Sequence, residues 1–169
     1  MPTDKKKFST WLAAEHGVEI RDMRETNFPL FWKFAKAGAF AKAGKVIFVK
    51  NLEKLNEESL CRKLCHELRH IERQRSKGWP LYLASYIFSQ KFRRDDEVLA
   101  YTRNMEFDFL FGVKDRGPGY YVDQMKKIHF LKSRHIRIAR KKLNERSRKI
   151  ENGAFTWVRD NYKKYLGSK

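Results

Sequence analysis

The chain of 169 residues has only two cysteines, Cys61 and Cys65, too few for a disulfide framework, so a reducing compartment is expected. It lacks any uninterrupted apolar run of the roughly 18 residues that a membrane-spanning helix needs. The first residues carry Lys5, Lys6 and Lys7 and place Glu15 inside their apolar part, so they have no secretory h-region. With export and membrane insertion unsupported, the expected location is the cytoplasm, or a host cytoplasm or virion if the chain is phage-encoded. Internal repeats and low-complexity tracts are also lacking. Acid is scarce, with 20 Asp and Glu against 38 Lys and Arg and a formal net charge of +18. That imbalance predicts attraction to something acidic without naming it.

A hydrophobic content of 41%, with 14% aromatics, is too rich for a disordered chain. The length suits one domain with a modest core, or a smaller core with an appendage. The charge divides unevenly. Residues 126–169 hold 15 basic and 3 acidic residues, whereas residues 1–125 hold 23 and 17. A Gly/Pro-rich segment, Gly112 to Gly119, marks a boundary between the two regimes. The organisation expected is a domain over 1–111, a connection over 112–122 and a basic helical segment over 123–169, packed on the first or appended to it.

Most of the chain reads as helix with a small β element, an α+β fold that is mainly α. Asp4 is placed to cap a first helix carrying Phe8, Trp11 and Leu12, with Gly17 past its end. Pro29 opens a second helical stretch, Leu30 to Ala43, closed by Gly44. Val46 to Val49 is a short β-branched strand between two lysines. Asn56 reads as the cap of a helix reaching about Arg75, with Glu57 and Glu58 in its first turn, where the dipole favours anions. Two more helices are predicted over about 80–92 and 95–111. A long basic helix over about 123–150 and a shorter one with Val158, Tyr162, Tyr165 and Leu166 complete the chain.

The capped helix contains His66-Glu67-Leu68-Arg69-His70, an H-E-x-x-H sequence. Spacing of four puts both imidazoles on one helix face, where they can chelate a single zinc ion. Glu67 is rotated about 80° from their mean direction and can reach a water on the metal, accepting its proton as the oxygen attacks a carbonyl. Leu60, Leu64, Leu68 and Ile71 form a neighbouring apolar arc. The cysteines point away from the histidines and read as small buried hydrophobes.

A catalytic zinc needs a third protein ligand. No histidine follows at short spacing, the next being His129 beyond the Gly/Pro turn. Among Asp95, Asp96 and Glu97 the preferred ligand is Glu97, with Asp95 as helix cap and the small Ala100 permitting close approach. The competing reading is that all three carboxylates merely cap the helix. An oxyanion donor is also required. Tyr101, one turn beyond Glu97, is the first candidate, with Tyr82, Tyr86, Tyr120 and Tyr121 as alternatives.

His66-Glu-Leu-Arg-His70, then Arg73-Gln-Arg, Gly78-Trp79, Tyr82 to Tyr86 and Glu97-Val-Leu-Ala100-Tyr101 together resemble the mini-gluzincins. These are small zinc-peptidase-like domains of bacteria and phages. The resemblance covers about residues 45–108. It implies a minimal zincin-like core, with His66, His70 and Glu97 as ligands of Zn2+ and Glu67 as catalytic base. It also implies that Val46–Val49 is the edge strand on which an extended peptide or protein substrate pairs. On this reading the protein is a zinc metallopeptidase directed to an acidic partner, nucleic acid or protein, by basic residues 124–150. The alternative is a non-catalytic basic binding protein on a metal-binding scaffold of the same kind, a host-interaction, virion or nucleic-acid-binding factor.

Overall fold

The structure, a computed structural model, describes residues 5–25, 38–129 and 131–168. Its elements are α1 (Lys5–Glu15), β1 (Glu19–Asp22), β2 (Ala39–Lys42), β3 (Val46–Val49), α2 (Glu57–Lys77), α3 (Trp79–Phe88), α4 (Gln90–Leu110), α5 (Pro118–Ile128), α6 (Ser133–Glu151) and α7 (Trp157–Gly167). The protein is mainly helical with one small sheet.

The strand order is β1-β3-β2, with β1 parallel and β2 antiparallel to β3. Val46–Val49 is therefore a strand as expected, but the central one and not the edge. Ile47 and Val49 are fully buried, which accounts for its unbroken apolar run. The segment expected as helix from Leu30 to Ala43 instead forms β2 at its described end. Ala43, Gly44 and Lys45 form the hairpin turn between β2 and β3, with Ala43 at φ 52°, Gly44 at φ 69° and Lys45 N–H donating to Lys42 O at 3.1 Å. Ala and Lys are depleted in strands and only Phe40 favours one, so pairing with β3 decides the conformation. The proposed cap Asp4 and residues 30–37 lie outside the described residues.

Asn56 caps α2, its side chain accepting the Ser59 N–H at 2.9 Å. The other end of α2 is tied to the hairpin. Gln74 Oε1 accepts Gly44 N–H at 2.8 Å and Gln74 Nε2 donates to Ala41 O at 3.1 Å, while Arg75 Nε donates to Gly44 O at 2.7 Å. These bonds set β2 alongside the H-E-x-x-H face.

The helix α4 begins earlier than expected. Ser89 is its cap, accepting the Phe92 N–H at 3.1 Å, so Asp95 is not a cap but a mid-helix residue paired with Arg94 and Lys142. This helix separates two cores. On one side Leu64, Leu68 and Ile71 of α2, Phe8 and Leu12 of α1, the sheet and α7 pack with Phe107. On the other, Val98, Tyr101 and Met105 meet Tyr121, Val122 and Met125 of α5 and Ala139, Leu143 and Ile150 of α6. Cys61 and Cys65 form no disulfide among the described residues and are buried in the first core.

The expected continuous helix over 123–150 is two helices. The turn of α5 ends at His129 and α6 starts at Ser133, and the buried phase changes across the break: His135, Ala139, Leu143 and Ile150 face inward while Ile138 is 40% exposed. The connection is correspondingly shorter than 112–122, since α5 starts at Pro118. In α7, Val158 and Tyr165 are buried but Leu166 is exposed.

Candidate metal centre

Two helices supply the site. His66 and His70, one turn apart on α2, bring their Nε2 atoms to 3.2 Å of each other. From α4, Glu97 reaches both, with Oε2 at 3.3 Å from His66 Nε2 and Oε1 at 3.5 Å from His70 Nε2. One ligand atom from each of these three residues lies within 4.8 Å of the others, and all three side chains are buried. They are the only such group among the described residues. Neither Asp95 nor Asp96 takes that place.

The set fits a zinc or similar ion on its own chemistry. Two imidazoles and a carboxylate are the borderline donors zinc takes, and ligand atoms about 3.3 Å apart suit bonds of roughly 2.0 Å to one centre. Glu97 Oε2 and His66 Nδ1 are buried with no hydrogen-bond partner. A second layer orients the first. His70 Nδ1 is 2.8 Å from Asp96 Oδ2, which also accepts the Tyr82 hydroxyl at 2.7 Å. That contact makes Nδ1 a donor and leaves Nε2 as the nitrogen facing Glu97, the one that would bind a metal after giving up its proton.

His129, which the sequence gives no reason to include, joins the centre from the end of α5. Its Nε2 is 3.3 Å from Glu97 Oε2, and the Tyr86 hydroxyl, which donates to Glu97 Oε1, is 3.0 Å from its Nδ1. No glycine or proline marks the helix break that delivers it. Tyr101 packs edge-on against His66, centroids 4.6 Å apart, and its hydroxyl is 3.5 Å from His129 Nε2. Of the alternatives, Tyr82 is held by Asp96 and Tyr121 by Asp108, while Tyr120 is 39% exposed at the rim of the cavity. Tyr86 and Tyr101 are the two tyrosines whose hydroxyls lie beside the Glu97–His129 pair.

The charges are arranged by burial and by one another. Burial pushes Glu97 up, but His129, His70 and His66 outweigh it and hold the carboxyl well below its usual range. Burial likewise opposes charge on His70, yet Glu97 and Asp96 raise it to about 10. For His129 burial wins, lowering it to about 4. Glu67, buried beside the histidines, is raised by burial against the pull of His66 and His70.

These residues line a cavity of about 760 Å³ bounded by α2, α3, α4, α5 and β2. The strand at its side is β2, through Ala39, Phe40 and Ala41, and not Val46–Val49. Trp79, Leu83 and Ile87 contribute apolar lining, and Lys63 and Arg116 contribute basic lining.

What the fold and site define is a small, mainly helical protein with a His/His/Glu cluster at the floor of an open cavity. No family model, curated protein or solved structure matches the chain. No helix among the described residues is long and apolar enough to cross a membrane.

Proposed function

We propose that the protein is a zinc-dependent metallopeptidase of the mini-gluzincin kind. The observation that carries the reading is the convergence of His66, His70 and Glu97 from two helices, inside a cavity that Glu67 also lines. A zinc ion held by those three residues would supply Lewis acidity to a water and to the scissile carbonyl. Glu67 takes the proton of the attacking water and returns it to the leaving amine. An extended peptide lies along β2, which among the described strands pairs with β3 alone. The Ala41 carbonyl is already taken by Gln74, so the peptide meets the strand nearer Ala39. Tyr101, Tyr86 and His129 offer donors to the developing oxyanion.

Metal analysis of protein purified without added zinc tests the site, and Glu67→Gln tests the chemistry. The variant should retain zinc and lose cleavage of an unstructured protein that the wild type cuts. Zinc that stays far below one equivalent after reconstitution overturns the metal reading. Equal inertness of wild type and variant overturns the peptidase.

A second reading is favoured by one surface. Arg137, Arg140, Lys141, Arg148 and Lys149 of α6 are exposed, opposite the face that α6 buries against α4. Such a stripe suits an acidic partner such as nucleic acid, with strong salt dependence. Because α6 completes a core, charge-neutralising substitutions and not deletion are the test. Arg137→Gln/Lys141→Gln/Arg148→Gln should flatten the salt dependence of oligonucleotide binding. An unchanged slope places the contact elsewhere.

A further inference from the structure

Along α2 the cavity-lining residues recur turn by turn, from Ser59 through Lys63 and the histidines to Gln74. Lys63 stands one turn, about 5.4 Å along the axis, before Glu67. Its amine lies against Gly38, at the start of β2, so closely that a Cβ on Gly38 would fall 2.1 Å from Nζ. Lys63 is half-buried, and among the described residues it forms no ion pair. Burial and Arg62 pull its amine down, and only Glu67 works against them. Apart from Glu67, the acids near this end are already engaged: Arg62 takes Asp108 at 2.7 Å and Glu58 at 2.8 Å. Arg116, from the loop between α4 and α5, also lines the cavity and comes near enough to Asp108, the partner of Arg62, for their charges to interact; it is half-buried and forms no ion pair among the described residues, its guanidinium lying 5.5 Å over the Tyr120 ring. On the α4 wall, Asn104 is 7% exposed and its Oδ1 has no partner, a ready acceptor for an N–H group.

Two half-buried cations that form no close ion pair, in a cavity wall that also holds the unpartnered Asn104 Oδ1, are a poor arrangement for an empty cavity and a good one for a ligand that carries both an acid and N–H groups. We infer that the Lys63–Arg116 end of the cavity is a carboxylate-binding subsite, and that the preferred ligand is a peptide presenting a free acid there. The acid is a glutamate or aspartate side chain or a chain terminus. The inference rests on the proposed function only for the identity of the ligand as a peptide.

The test uses the full chain, metal-free so that nothing is cut, in about 0.3 M salt to screen the basic surface. Fluorescence anisotropy reads the binding of four dansylated hexapeptides of one Ala/Gly sequence. The first ends in an amide and carries no acid. The second has a free C-terminus. The third is amidated with one internal Glu, and the fourth replaces that Glu with Gln. At least one acid peptide should bind about tenfold or more tighter than its neutral counterpart, as a charge-assisted contact in a partly buried site provides, and whichever does so identifies the source of the carboxylate. Lys63→Met/Arg116→Gln, checked for folding by circular dichroism, should remove that ratio, whereas Arg137→Gln/Arg140→Gln on α6 should leave it. Equal binding of all four peptides, no binding of any, or a ratio that survives the Lys63/Arg116 change overturns the inference. Equal displacement by a short oligonucleotide also overturns it, in favour of a general polyanion site. Zinc-loaded protein separates the two readings. Preferential binding of acid peptides without cleavage removes the peptidase and keeps the subsite, and equal cleavage of acid and neutral peptides does the reverse.

Discussion

Asp96 touches no proposed ligand atom of the metal, yet replacing it should weaken zinc binding. Its Oδ2 stands 2.8 Å from His70 Nδ1 and accepts the Tyr82 hydroxyl at 2.7 Å, so it fixes both the tautomer and the ring orientation of His70. In Asp96→Asn the amide oxygen can still accept a hydrogen bond at the same place, but the charge is gone. A hydrogen bond to a carboxylate is about twice as strong as one to a neutral acceptor, and a change of this kind typically costs about 10–100-fold in metal affinity. That range corresponds to about 1.4–2.8 kcal/mol at 25 °C. The apo fold should survive, because Asp96 is 3% exposed with Oδ1 unpartnered, and an amide is easier to bury than a carboxylate. The assay is competition for zinc against a fluorescent chelator, with a thermal melt of the apo protein alongside. An unchanged zinc affinity with an unchanged apo melt would falsify the proposal that His70 binds zinc through Nε2 under Asp96 control. Tyr82→Phe, which removes one donor and leaves the carboxylate, should lose less than Asp96→Asn. The reverse order would place the control at Tyr82.

Three further outcomes test the frame around the site. Asp108→Asn breaks the buried contact with Arg62 while Glu58 remains as a partner, so a loss of about 2–4 kcal/mol is expected in urea unfolding. A loss below 1 kcal/mol, roughly the worth of a surface pair, would mean that water reaches the pair. Asn56→Ala removes the α2 cap and should cost about 1 kcal/mol without altering zinc content, which a paired melt and metal assay reads. Burial raises Asp95, but Lys142 and Arg94 outweigh it and hold the carboxyl below its ordinary value. Its contribution is therefore present above the unfolded value near 4 and is lost as pH falls through the lower folded one. Asp95→Asn should be less stable than wild type by under about 1 kcal/mol at pH 7, since the pair is partly exposed, and the two should converge as pH falls through the lowered folded value. A gap that widens in acid contradicts the sign.

How much of this was legible in the residues depends on whether the deciding signal was local. Asn56 and the apolar arc Leu64, Leu68 and Ile71 are local signals, and α2 follows them closely. So does the pairing of His66 with His70, because helical spacing alone sets it. The meeting of those histidines with Glu97 needed a packing partner, and there the sequence offered three adjacent carboxylates with a helix start mistaken by several residues. Ser89, not Asp95, begins α4, since a serine hydroxyl three residues before Phe92 is as good a cap as a carboxylate and is easily passed over after an apolar run. The edge strand was misassigned for a different reason. Ala39–Lys42 has the composition of a helix, and only its partner β3 and the turn at Ala43-Gly44 make it extended.

His129 is the sharpest case, because it is the same residue under two readings. In a continuous helix from 123 to 150 it would be one more position beyond the Gly/Pro turn, remote from the motif. The break between Ile128 and Ser133 ends α5 where its last residues can turn toward Glu97, and it lets α6 restart in a new phase to cover α4 with His135, Ala139 and Leu143. Both segments bury their apolar sides against the one helix that carries Glu97, and a single straight rod would have held the original phase past the end of α5. The geometry of the candidate centre is thus tied to the second core. A substitution that disturbs Leu143 or Met125 should move His129 and Tyr86 relative to Glu97 even though neither residue approaches the cavity floor.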